Sequence, residues 1–266
     1  MKIHFFLRYT TQFGQSFSLT LSDGQQIALE YLNDEFWHAS AEADPNAQPR
    51  LSYFYSLLDR NSHTQLESGP DRVLPLDAGI TGALAVFDYF NPMGALANTF
   101  TTQPFQDIFF RENAGAARKM PGRYTHLLRV KAPLLGADEL PCVLGHGLAL
   151  RNWDTAAPLL MSAREGWWEL ALDLSEENFP LSYKYGIWNQ RSQRFIGFEE
   201  GGNRTLYTPP TSAKPGEGLV LHHDNFARLP FRPWRGAGVA IPVFSLRSAQ
   251  SFGVGEFSDL PASASN

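Results

Sequence analysis

The chain contains itself twice, and that repeat limits what it can fold into. One copy includes "EFWHASAEADPNAQPRLSYFYSLLDRNSHTQLESGPDRVLPL", beginning at Glu35. The other includes "GWWELALDLSEENFPLSYKYGIWNQRSQRFIGFEEGGNRTLY", beginning at Gly166. Trp37 aligns with Trp168, Tyr53 with Tyr183, Glu67 with Glu199, Gly69 with Gly201 and Arg72 with Arg204, at offsets of 130 to 132 residues. A period this long excludes a solenoid and fits a duplicated domain of about 100 residues with a connecting segment.

Each copy reads as short strands rich in aromatic and branched residues, separated by Gly, Pro, Asn and Asp. "IHFFLRYT", "SFSLTLS", "LSYFYSLL" and "VLPL" fall in the first copy. "HLLRVKAP", "LPCVLG", "WWELALDL", "LSYKYGIW", "FIGFEE" and "RTLYT" fall in the second. "WELALDL" alternates, with Leu170, Leu172 and Leu174 on one face. No long helical period occurs. The expected fold class is therefore all-β, with two immunoglobulin-like β-sandwiches in tandem. Residues 1–77 form the first and 123–225 the second. Residues 78–122 carry Phe87, Tyr89, Phe90, Phe100, Phe105, Phe109 and Phe110. That is too aromatic for a solvated tether, so the segment is expected to pack between the sandwiches.

Composition narrows the function. The sequence is 43% hydrophobic and 13% aromatic, which supplies a core. A net charge of −5 without a basic block argues against a nucleic-acid surface but not against a neutral ligand such as a sugar. Cys142 stands alone, so no disulfide forms within the chain and a reducing, cytoplasmic location is expected. It reads as a small apolar filler in a strand. His4 and Arg8 interrupt the N-terminal apolar run, and no stretch approaches the roughly 20 residues that span a bilayer. Neither a signal peptide nor membrane contact is expected. His222 and His223 in "LHHD" should point to opposite faces of a strand, so they share no metal. "RYTTQFGQS" has the wrong glycine spacing for a phosphate loop, and no cofactor is expected.

The second copy resembles a starch-binding domain of carbohydrate-binding module family 20 on "LALRNWD", Trp168, "LSYKYGIW" and "FEEGGNR". The resemblance spans about residues 124–207 and maps the family's sugar-binding positions onto Trp153, Lys184, Phe198, Glu199 and Asn203. Phe198 stands where that family usually has Trp. "PWRGAGVAIPVFSLRSAQSFGVGEFSDL", residues 233–260, is similar to the start of the catalytic barrel in 4-α-glucanotransferases of glycoside hydrolase family 77. Tandem starch-binding modules leading into this segment resemble the plant-type disproportionating enzymes. The resemblance implies a truncated start of a TIM-type barrel over 226–260, with a tail at 261–266. It also implies a downstream catalytic domain as partner and a reaction that passes α-1,4-glucan segments between glucans. That retaining reaction needs two flanking carboxylates. They are expected beyond this chain, which should be inactive alone, with no catalytic residue assigned. Ser245 and Phe252 would line the glucan cleft of the intact enzyme.

These residue types suit an α-1,4-glucan such as starch, glycogen or a malto-oligosaccharide. Aromatic planes at Trp153 and Phe198 would cover the C–H faces of two adjacent sugars. Lys184, Glu199 and Asn203 would fix the hydroxyl rim. Structural readings stand beside each role. Trp153 and Phe198 could also be core residues, Lys184 a solvated strand residue, and Asn203 a turn former. Glu199 or Glu200 is placed to pair with Arg204. Trp37 and Trp168 read as core anchors. The first copy has Phe54 for the Lys, Leu66 for the aromatic plane and no Trp at the first position, so no site is assigned there. The competing reading is a non-catalytic β-sandwich scaffold whose aromatics pack on another domain or chain.

Overall fold

The structure, a computed structural model, describes residues 1–61, 63–69, 71–76, 82–95, 98, 124–132, 134–164, 166–207 and 218–230. Their regular structure is strand, joined by turns and loops, apart from a short 3-10 turn at Arg151–Trp153. The first copy runs β1 (Lys2–Arg8), β2 (Ser16–Leu21), β3 (Gln26–Ala28), β4 (Glu30–Tyr31), β5 (Phe36–Glu42), β6 (Arg50–Leu58), β7 (Thr64–Leu66), β8 (Arg72–Pro75) and β9 (Leu84–Tyr89). The second runs β10 (His126–Lys131), β11 (Glu139–Gly145), β12 (Leu159–Leu160), β13 (Ser162–Arg164), β14 (Trp167–Leu172), β15 (Leu181–Asn189), β16 (Arg194–Phe198), β17 (Arg204–Leu206) and β18 (Leu219–Phe226). The truncated barrel start and tail assigned to residues 226–266, with Ser245 and Phe252, lie outside the described residues beyond residue 230. No helix among the described residues is long and apolar enough to cross a membrane.

Eight strands join both copies into one sheet, in the order β13-β14-β10-β18-β9-β1-β5-β4. At its centre β9 and β18 pair in parallel, Val86 opposite Leu221 and Asp88 opposite His223. Reading outward from this seam, β9-β1-β5-β4 matches β18-β10-β14-β13. The exchange keeps strand direction, so the copies are related by a pseudo-two-fold axis running along the strands. Such a rotation also swaps the faces of the sheet. The five-stranded sheet β3-β2-β6-β7, with β8 on β6, accordingly packs on one face. The sheet β12-β11-β15-β16, with β17 on β15, packs on the other.

Side-chain alternation places the cores. Ile3, Phe5, Leu7, Leu84, Val86 and Leu221 meet Phe17, Leu19, Tyr53 and Tyr55 in the first core. Leu128, Val130 and Leu172 meet Tyr183 and Tyr185 in the second. Trp37, opposite Leu7, and Trp168, opposite Val130, are buried at matching positions of the two sandwiches. Burying each large apolar side chain contributes about 1.5–3 kcal/mol before entropy is counted.

Leu84–Tyr89 falls in the stretch read from the sequence as a linker. In the structure it is a strand, parallel to both β1 and β18. Its run "LAVFDY" is buried on both faces except at Tyr89, so it lacks the alternation that marks a half-exposed strand. Its pairing with β18 leaves neither copy with a bare edge at the seam. Residues 1–230 consequently form one compact unit rather than two separate beads.

Candidate functional site

The candidate residues gather at one end of the second flanking sheet. β11 and β15 pair with Leu144 opposite Lys184 and Gly145 opposite Tyr183, so the loop after β11 leaves beside Ser182, two residues from Lys184. Gly145 allows this approach: a Cβ there would lie 2.5 Å from the Ser182 carbonyl oxygen and 2.8 Å from Leu150 Cδ1. Leu150 is fully buried and anchors the loop in the core. Beyond it the backbone makes a left-handed turn, with φ of 65° at Arg151, 46° at Asn152 and 65° at Trp153. Left-handed backbone costs a non-glycine residue about 1–2 kcal/mol. Local bonds hold it. The Asn152 and Leu150 amides donate to the Gly147 carbonyl at 3.0 and 3.2 Å. The Gly147 amide donates to Asn152 Oδ1 at 3.0 Å. The Ala149 amide donates to Glu177 Oε1 at 2.7 Å. The turn lifts Trp153 out of the core and leaves it half-buried.

Phe198 ends β16, opposite Gly186 of β15. Its ring centroid lies 5.9 Å from that of Trp153, with the planes at 73°. Two planes at such an angle can cover the apolar faces of two sugars whose chain bends between them. Lys184 Nζ donates to the Glu199 carbonyl at 3.1 Å and to the Gly201 carbonyl at 2.7 Å, closing the turn after Phe198. An ammonium has three donors, so one remains beyond these two bonds. Asn203 is exposed on the same turn, two residues after Gly201 with its φ of 90°.

Glu199 requires a correction. The sequence reading placed its carboxylate on the sugar rim, but the residue is 4% exposed. Oε1 accepts from Arg204 Nε at 2.8 Å and from the Tyr185 amide at 3.1 Å, and Oε2 accepts from Arg204 at 2.8 Å. Both oxygens are occupied inside the protein. Glu199 supports the turn from behind rather than facing a ligand.

The pair belongs to a larger buried network. Asp224 of β18 accepts from Tyr185 at 2.6 Å and from Tyr183, and it faces Arg204 at 3.6 Å. Burial and then the Asp224 carboxylate hold both phenols well above their ordinary pKa, so they remain donors. For Arg204, burial opposes the charge, but Asp224 and Glu199 outweigh it and raise its pKa. The first copy repeats the pattern. Tyr53 and Tyr55 donate to Asp88 at 2.9 and 2.8 Å, Arg72 bonds Glu67 at 2.7 Å, and the Tyr55 amide donates to Glu67 Oε1 at 3.0 Å. Much of what repeats in the sequence is therefore this internal scaffold. The two aspartates escaped the sequence reading; the available signal was a single acidic residue inside an apolar strand in "AVFDYF" and "VLHHDN", 136 residues apart.

At the candidate positions the copies differ. Leu66 replaces Phe198 and is 49% exposed, opposite Ser56. Phe54 replaces Lys184. His222 and His223 face opposite sides of β18, as alternation requires: His222 stacks on Phe87 at 4.6 Å and His223 bonds Asp88 at 2.7 Å. Trp167 stacks on His223 at 5.4 Å, with Lys131 Nζ 4.8 Å from its ring, whereas Trp188 is buried.

No protein-family model matches the sequence. The chain is similar along almost its whole length to the 4-alpha-glucanotransferase DPE2 of Oryza sativa subsp. japonica, with 29% identity over 280 residues. That alignment covers 96% of this chain and 29% of the rice protein, so the chain spans less than a third of that relative. This similarity agrees with the glucanotransferase resemblance read from the sequence. Among solved structures, the family 20 carbohydrate-binding module of a maltotetraose-forming amylase from Pseudomonas saccharophila STB07 aligns at 16% identity. It covers 36% of this chain and 97% of that chain, with a TM-score of 0.29. The glucoamylase of Hormoconis resinae aligns at 22% identity over 40% of this chain and 17% of its own, with a TM-score of 0.32.

Proposed function

We propose that this chain is the α-1,4-glucan-binding N-terminal region of a 4-α-glucanotransferase, an enzyme that passes glucan segments from one chain to another. The observation that carries the reading is the Trp153–Phe198 pair, half-exposed and angled at 73° above a turn clamped by Lys184. The lengthwise similarity to the rice 4-alpha-glucanotransferase supports the enzyme class.

Binding follows from the geometry. One sugar stacks on Trp153 and its neighbour on Phe198, each removing apolar area from water. The remaining Lys184 donor and the Asn203 amide reach the hydroxyl rim, while Glu199 and Arg204 keep the turn rigid. A preformed platform loses little ordering entropy when a glucan arrives. The backbone strain at residues 151–153 belongs to that preorganisation. No catalytic step is assigned to these residues; they hold glucan for carboxylates elsewhere in the intact enzyme.

For the first copy the scaffold reading is favoured, because Leu66 lacks the plane of Phe198 and Phe54 lacks the ammonium of Lys184. Calorimetry with β-cyclodextrin tests the Trp153 assignment. Trp153→Ala is expected to weaken binding about thirtyfold, from roughly 2 kcal/mol of lost stacking. A folded Trp153→Ala protein with unchanged affinity would overturn the assignment.

A further inference from the structure

A third ring lies against the two already described. Phe195, at the start of β16, is half-exposed, and its centroid is 4.7 Å from that of Phe198 with the planes at 58°. Residues three apart on a strand normally face opposite sides. Here the pairing of β15 with β16 slips between Ile187 and Trp188, so that Phe198 sits opposite Gly186 and Phe195 opposite Trp188. Gly186 and Trp188 share one face of β15 by alternation, and the slip brings both phenylalanines to that face.

The residue beneath Phe195 is also specific. A Cβ on Gly186 would lie 2.5 Å from Phe195 Cε2 and 2.9 Å from Cζ. The ring therefore lies in a groove that only glycine leaves open. Gly186 has an ordinary backbone conformation, with no positive φ, so the missing side chain rather than the backbone explains the residue. The groove brings a further aromatic plane beside Phe198. Phe198 thus neighbours two further rings, its plane inclined at 73° to Trp153 and at 58° to Phe195. Mutually inclined planes suit a ligand whose chain bends from one sugar to the next.

We propose that Phe195, held in the Gly186 groove, extends the glucan platform to a third ring and makes the site prefer malto-oligosaccharides longer than maltose. The inference rests on the α-glucan reading of Trp153 and Phe198 and adds a chain-length specificity to it. Maltose fills Trp153 and Phe198. Maltotriose and longer chains also reach Phe195, gaining apolar burial that maltose cannot use.

The test is calorimetric titration of the whole chain with maltose, maltotriose and maltoheptaose. Phe195→Leu keeps most of the volume and removes the plane. It is expected to weaken maltoheptaose about fivefold, in the range of a partial stacking loss, while changing maltose less than twofold. Gly186→Ala should displace the ring and give the same selective loss without altering Phe195 itself. An unchanged ratio of maltoheptaose to maltose affinity in both variants, while Trp153→Ala weakens binding about thirtyfold, would overturn the third-ring proposal alone. An equal loss for both sugars would also overturn it, since a merely structural role predicts that pattern. Unchanged binding of every sugar in Trp153→Ala would instead overturn the site on which it rests.

Discussion

His223 and Asp88 join the two copies through a buried hydrogen bond, Nδ1 to Oδ1 at 2.7 Å across the β9–β18 seam. Arg129, ion-paired with Glu169 at 2.8 Å, approaches the other nitrogen of His223 at 3.4 Å. Arg129 can only donate. His223 Nε2 is therefore the acceptor, and Nδ1–H is directed at Asp88. On the same carboxylate converge Tyr53, Tyr55 and Arg72 of the first copy. Burial alone would raise the Asp88 pKa, but Arg72 and His223 outweigh it and lower it to about 2.

Cooperative unfolding of the two copies follows from this seam. Asp88→Asn removes the charge that balances Arg72 and should reduce amide protection in β10, β15 and β18 as well as in β1 and β6. Hydrogen exchange followed by mass spectrometry reads this directly. Protection lost only in residues 1–90 would show that the copies unfold independently.

Acid should destabilise the fold through its buried histidines. Burial lowers the pKa of His222 to about 4 and that of His126 to about 3, each beneath the unfolded value of 6.5. Below pH 6.5 the unfolded chain takes up protons that the folded chain refuses, so stability falls from there towards pH 4. The loss is on the order of 3 kcal/mol for His222 across that window. His222 Nε2 has no hydrogen-bond partner among the described residues, and its ring stacks on Phe87. His222→Phe should keep the stacking and raise the melting temperature at pH 5 more than at pH 7.5. Equal shifts at both pH values would contradict this account.

Breaking either buried ion pair should be costly. Arg204→Met strands Glu199 and Asp224, and Arg72→Met strands Glu67 and Asp88. Each should cost about 3–5 kcal/mol in urea denaturation, because two buried carboxylates lose their arginine. Asp59→Asn at the exposed Asp59–His63 pair should leave the midpoint where it was. A midpoint shift in Asp59→Asn equal to that of Arg204→Met would refute the distinction.

Gly145→Ala should connect packing to binding. The new Cβ meets the Ser182 carbonyl and the Leu150 side chain at under 3 Å. A clash of this kind costs about 1–3 kcal/mol. Leu150 anchors the turn that carries Trp153, so β-cyclodextrin affinity should fall along with stability. A stable Gly145→Ala protein with full affinity would show that the anchor is not needed.

Strand content was legible because the signals were local. "SFSLTLS" alternates and became β2 with alternating burial, and "LSYFYSLL" and "LSYKYGIW" mark the central strands of their flanking sheets. The repeat offset placed Trp37 and Trp168 on equivalent strands. Leu84–Tyr89 was missed for the opposite reason: a strand buried on both faces has no period to read. At the candidate site, residue types pointed to Trp153 and Phe198, but Glu199 looks the same in sequence whether it faces a sugar or Arg204.

The sequence alone determined that two copies of one strand pattern exist, and that only the second keeps an aromatic–ammonium–amide set. Both properties reside in residue identity and short-range spacing. Only the tertiary structure decided that the copies share an eight-stranded sheet with cores on opposite faces, that Asp88 and Asp224 close the tyrosine–arginine networks, and that Phe195 lies beside Phe198. Those outcomes depend on pairing between distant strands and on a one-residue slip in register. Such a slip reverses which face a side chain occupies while leaving the amino-acid sequence unchanged.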